Sequence, residues 1–232
     1  MPLQAFGLGD VIFSMEVVMR LAQPKDVILW PVQKHFIEGL NRAYPYVKFI
    51  DESIVSKHIF DIKEDVVLDE HIRILPIRWS DSIMKVPYKD VMRAKYDMYK
   101  MDWRIWRKAM YLRNHEKEQR LFKEVLGLKQ GMEYCLVNQN FTSNASRKAQ
   151  IQPKTKMPIV NVKPIAGYSL FDWSYVIEQA AEIHTVGTSI NYIIELLDIK
   201  APHVTLYKRL PTENHYHNYD YILEKHNYIF TP

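Results

Sequence analysis

A chain of 232 residues, 47% hydrophobic and 25% charged, has ordinary globular composition and forms either one large domain or two of about 100–130 residues, each able to bury a core. Its single cysteine, Cys135, excludes an internal disulfide framework and argues against a cysteine metal cluster, and no run approaches the length of a membrane span or secretory leader, so the expected location is cytoplasmic. The net charge of +4 is unevenly placed: residues 89–123 hold eleven Lys/Arg against five Asp/Glu, a surface suited to an anionic partner or a solvated helix face.

In chain order, residues 3–18 read as a strand, a glycine turn and a helix. Gly7 and Gly9 permit a sharp turn, and Asp10 falls at the cap or first turn of a helix carrying Val11, Met15, Val18 and Leu21. The spacing is not a dinucleotide fingerprint, because Phe13 and Ser14 stand where a third glycine is needed, and no Gly-Lys-Ser/Thr follows for a P-loop. Residues 27–32 form a continuous apolar run of buried-strand type. A helical pattern at Phe36, Ile37, Leu40 and Ala43 and a second strand at 47–50 complete a parallel strand–helix–strand unit. Residues 58–67 and 72–77 predict two or three further strands that finish a first sheet. Residues 88–126 are helical, and their Trp and Met residues recur at three- and four-residue steps, which predicts packing. Gly127 and Gly131 then mark a domain junction, giving domains 1–128, with a helical extension at about 88–126, and 129–232.

The second half alternates again: a strand at 133–138 ending on Asn138, a polar segment at 139–156, a strand at 158–162, a helix at 170–181 capped by Ser169 or Asp172, and strands at 183–186 and 202–207. The tail, 213–232, carries Tyr216, Tyr219, Tyr221 and Ile222 and is expected to cross back as a helix onto the first domain. Between the strand at 183–186 and the next helix lies the small-residue turn Gly187-Thr188-Ser189. The first N–H groups of a helix lack partners inside it, and its positive dipole end attracts negative charge, so this turn is an anion site in outline; a plain N-cap is the alternative.

Two α/β halves, each with a small-residue turn at a strand end, resemble the GT-B class of glycosyltransferases, two Rossmann-like domains with a cleft between them. The local match is closest to the lipopolysaccharide heptosyltransferase-like group and related viral and bacterial sugar transferases. Its carriers are the opening Gly9-Asp10-Val11 and the late stretch from Ile183 through Gly187-Thr188-Ser189 to the Pro-x-x-x-Leu-Tyr strand at Pro202, Leu206 and Tyr207. The resemblance implies a transfer of sugar from a nucleotide-diphosphate sugar to a hydroxyl acceptor, a glycan or lipid-linked glycan, with inversion and without a metal or further cofactor. It implies Asp10 as general base, Gly7 and Gly9 on the acceptor side, and Gly187, Thr188 and Ser189 around the donor diphosphate. Asn138 belongs to the implied donor side, Arg147 and Lys148 supply cations there, with Lys163 or Lys208 as substitutes, and Lys163, Pro164 and Ile165 sit where such folds meet the nucleotide base. The chemistry agrees: an alcohol proton needs an aligned carboxylate, and the leaving diphosphate needs fixed dipoles or cations. No Asp-x-Asp pair occurs, which disfavours metal-bridged transfer. The chain departs from the group in its short length, in Gly187 where Asp is common, and in Asn191 and Tyr192 where the group has His.

Two other readings stay open at this point. One is a nucleotide-sugar epimerase or related enzyme on the same architecture. The other is a non-catalytic protein whose basic 89–123 region docks nucleic acid or a membrane surface; no recognition motif supports it, so no nucleic-acid partner is expected, while peripheral membrane contact stays compatible with the sequence.

Overall fold

The computed structural model describes residues 1–2, 7–69, 72–77, 85–87, 90–141, 149, 151–209 and 221–231. The chain forms two units, Met1–Leu112 and Arg113–Pro232, and is of mixed α/β class. Among the described residues no helix is long and apolar enough to cross a membrane.

In the first unit, helix α1 (Leu8–Leu21) starts directly after Gly7, whose φ of 78° lies in the left-handed region. The turn therefore needs one glycine. Gly9, expected to share it, is instead the second residue of the helix and is buried. A Cβ at position 7 would also stand 2.9 Å from Asp10 Oδ2, so Gly7→Ala is expected to cost about 1–2 kcal/mol, measured by urea unfolding. Strand β1 (Leu29–Val32), helix α2 (Ile37–Ala43) and strand β2 (Lys48–Asp51) form the expected parallel unit, with Trp30 paired to Phe49. α1 is apolar nearly all round and is buried against α3 (Val91–Asp97) and the 3-10 turn Trp103–Lys108: Phe13 meets Tyr96 edge-on at 5.2 Å and Trp106 at 5.3 Å. The predicted packing role of Met92, Trp103 and Trp106 is thus what the structure has.

The expected extension of the first sheet is corrected. Residues 58–61 lie in a 3-10 turn, Lys57–Asp61, closed by local backbone bonds from Ile59 N–H to Ser56 O and from Ile62 N–H to Ile59 O. β3 (Val66–Asp69) and β4 (Ile72–Ile74) pair antiparallel in a separate two-stranded sheet. With two residues between them they have no length for a parallel crossover.

The second unit opens on Arg113. Helix α4 (His115–Arg120) and the π turn Leu121–Val125, expected as an extension of the first domain, pack here: Phe122 lies edge-on to Tyr175 at 5.0 Å. Arg113 donates to Glu118 and to Glu178, tying α4 to α5 (Ser174–Gln179). Burial works against this guanidinium's charge, but the hydrogen bonds it donates to the two carboxylates outweigh it and hold the group firmly protonated. The unit's sheet is wholly parallel, in the order β6 (Ile159–Asn161), β5 (Cys135–Asn138), β7 (Glu182–Val186), β8 (Val204–Tyr207), β9 (Tyr228–Phe230). Four of these strands answer to predicted ones. The fifth replaces the helix expected in the tail: residues 228–230 add to the edge of β8, an aromatic and β-branched run that suits a strand, while 210–220 lie outside the described residues. Tail and sheet are joined through Glu195 of helix α6 (Ser189–Leu196). This buried carboxylate accepts from Glu224 N–H (2.7 Å), Lys225 N–H and Tyr228 O–H (2.7 Å).

Candidate anion site at the carboxyl edge of the sheet

Numbered within the second unit, the strand order is 2-1-3-4-5. The chain leaves the first strand, β5, toward one side in sheet order, then crosses back past it to β7, so the carboxyl ends of β5 and β7 mark the topological switch point, where sheets of this kind bind ligands. The residues singled out by sequence for the donor side gather at that point. Asn138 ends β5, Thr185 is its register partner on β7, and Gly187-Thr188-Ser189 is the turn into α6.

The turn is held by a polar network. Asn138, nearly buried, donates through Nδ2 to Thr188 Oγ1 at 3.0 Å and to Thr185 Oγ1 at 3.2 Å. Thr188 and Asn191 close a capping box, with the Thr188 N–H on Asn191 Oδ1 at 3.3 Å. The Thr188 N–H is therefore used internally, and the groups presented by the helix end are the N–H donors of Ser189 and Ile190, which have no partner within the helix. Asn191 is fully buried, and its Nδ2 has no acceptor among the described residues.

Sequence reasoning missed the cation that meets this turn. Arg209, two residues past β8, donates from Nε to Gly187 O at 2.6 Å and lies over the Phe141 ring at 5.8 Å. Its position two residues beyond a predicted strand, on the carboxyl edge shared with the turn, was the available signal. Arg147 and Lys148, expected in this role, lie outside the described residues. Lys163, Pro164 and Ile165 follow edge strand β6 at the same carboxyl edge; Lys163 and Pro164 are exposed, and Ile165 bridges to Tyr168. Asn140 joins the strand end to the turn region by donating to Val162 O at 2.9 Å.

The remaining predicted residues belong to the first unit. Asp10 is the third residue of α1, and its Oδ1 accepts from Lys95 Nζ at 2.5 Å, with the lysine side chain 1% exposed and the carboxylate 29% exposed. The ammonium and the helix N-terminus together hold this carboxylate in one orientation. Lys95 is one of several cations of the 89–123 region with internal partners: Arg113 is bound by two carboxylates, Lys117 stands 3.9 Å from buried Asp172, and Arg104 lies over Trp103. That region is divided between the two units.

No protein-family model matches the sequence, and no curated protein or solved structure is significantly similar to it. The class established by the chain itself is α/β, with a five-stranded parallel sheet whose switch point carries the polar turn.

Proposed function

We propose that the chain is a glycosyltransferase of the GT-B type, moving a sugar from a nucleotide-diphosphate sugar to a hydroxyl acceptor with inversion. The second unit binds the donor and the first the acceptor. The observation that carries this reading is the placement of a small hydroxyl turn, a helix N-terminus and the Arg209 guanidinium at the switch point of a 2-1-3-4-5 parallel sheet. The Ser189 and Ile190 N–H groups and the Thr188 and Ser189 hydroxyls take the diphosphate. Arg209 neutralises the charge that builds on it as the glycosidic bond to phosphate breaks, so the transfer runs without a metal at this position. Lys163, Pro164 and Ile165, at the neighbouring strand end, face the nucleotide base. Asp10 takes the acceptor's proton.

Calorimetry and thermal shift against UDP, GDP, ADP, CMP and dTDP sugars test the donor site. One nucleotide is expected to bind, and Arg209→Ala to weaken it by at least about tenfold, or 1.4 kcal/mol. Absence of binding by every nucleotide overturns the reading. Binding followed by interconversion of the free donor sugar, with no transfer to any acceptor, replaces it with an epimerase.

A further inference from the structure

A second cluster lies on the opposite face of the same sheet, toward the amino ends of its strands. Cys135 opens β5 and Glu182 opens β7; they are direct register partners, so their side chains share a face, and His184 follows on that face two residues along. One donor atom from each of the three lies within 4.8 Å of the other two. The carboxyl-edge turn is a different place: three residues of strand, about 10 Å, separate Cys135 from Asn138.

Cysteine, histidine and glutamate side by side suggest two chemistries, a nucleophile with its base or a metal centre. The first is disfavoured by the placement of the thiol: Cys135 is fully buried and packed with Ala149, Ile151 and Met157, where an attacking nucleophile needs an exposed sulfur.

We infer that Cys135, Glu182 and His184 form a zinc site, with His203 or water as the fourth donor. Zinc held by nitrogen, oxygen and sulfur at about 2.0–2.3 Å places tetrahedral donors about 3.3–3.8 Å apart, and His184 Nε2 already stands 3.6 Å from Glu182 Oε2. The independent observation is on the far side of the imidazole: His184 Nδ1 is 3.0 Å from the Tyr207 hydroxyl. In the tautomer that donates from Nδ1, this bond fixes the ring and turns the Nε2 lone pair toward Cys135 and Glu182, the arrangement by which metal-ligating histidines are oriented. His203, immediately before β8, stands across from Glu182 by the register that pairs Ile183 with Val204. On binding, the Cys135 thiol proton leaves to solvent, the imidazole stays neutral, and thiolate and carboxylate together balance the dication. The mixed sulfur, nitrogen and oxygen set favours zinc over magnesium or calcium, and the site ties β5 to β7 beneath the turn. This departs from the expectation drawn from a lone cysteine, because the partners come from a strand 47 residues further on.

The test uses the full chain, stripped with a chelator and titrated with zinc ion alone by calorimetry and with cobalt ion by absorption. One equivalent of zinc is expected to bind at micromolar or tighter Kd, and cobalt to give a thiolate charge-transfer band in the near ultraviolet. Cys135→Ser is expected to remove the band, and Glu182→Gln and His184→Gln each to weaken zinc by at least about tenfold. Glu182 is partly exposed, so its variant keeps the fold and reports even where Cys135→Ser does not fold. Absence of stoichiometric zinc binding, a cobalt spectrum without the thiolate band, or affinity unchanged in Glu182→Gln overturns the assignment.

Discussion

Asp10→Asn is expected to destabilise the first unit by on the order of 3 kcal/mol, because the amide keeps an acceptor for Lys95 but removes the negative charge beside a buried ammonium. The measurement is urea unfolding followed by tryptophan fluorescence, with Trp30, Trp103 and Trp106 in this unit. Loss of turnover in this variant alone does not assign a base, since a loosened helix end also stops catalysis. The double variant Asp10→Asn/Lys95→Met separates the two, because replacing both members of a buried pair by groups of similar shape restores most of the stability. If Asp10 is the general base, the double variant folds well, binds nucleotide as before, and turns over at least about 100-fold more slowly than the parent. Recovery of turnover together with stability reduces Asp10 to the counter-ion of Lys95.

Arg113→Ala is expected to cost about 3 kcal/mol, again because it strands buried charge: Glu118 is 1% exposed, and both its oxygens accept from this guanidinium. Across a unit of this size the loss corresponds to a fall in Tm of roughly 10 °C, read by calorimetry or far-ultraviolet circular dichroism. Arg113→Met combined with Glu118→Leu recovers more than half of it if the charge is the cause. If the two ion pairs of Arg113 contribute only as surface bridges, Arg113→Ala shifts Tm by little and the double variant gains nothing.

The parts legible in the sequence are those set by local periodicity. The parallel unit at residues 29–51, four strands of the second sheet, a cap at Ser169 or Asp172 and an N-cap at the 187–189 turn follow from apolar runs and small hydroxyl residues read in place, and Ser169 and Asp172 turn out to act together. What was not legible depends on contacts far apart in the chain. Lys95 reads as one more cation of a basic segment until the fold brings it to Asp10, 85 residues away. Arg209 lies beyond a strand end, and only the parallel order of β7 and β8 carries it to Gly187. Residues 228–230 are too few to show a period, so the tyrosines before them suggested a helix; the free edge of β8 decided the matter. The spacing of residues 66–74 held the hairpin in plain view, because two residues between strands leave only the antiparallel choice.

Glu195 has a consequence for the turn at the other end of its helix. α6 is fixed at its start by the reciprocal bonds of Thr188 and Asn191, and at its finish by the three donors that Glu195 receives from residues 224–228. A helix of eight residues would fray alone, but here neither end is left to move. The N–H donors at Ser189 and Ile190 are held in place in the free chain, so the proposed diphosphate would bind with little loss of conformational entropy. If that reading holds, affinity at this position comes from preorganisation, and a loosened latch at Glu195 registers as faster nucleotide release far from any contact with it.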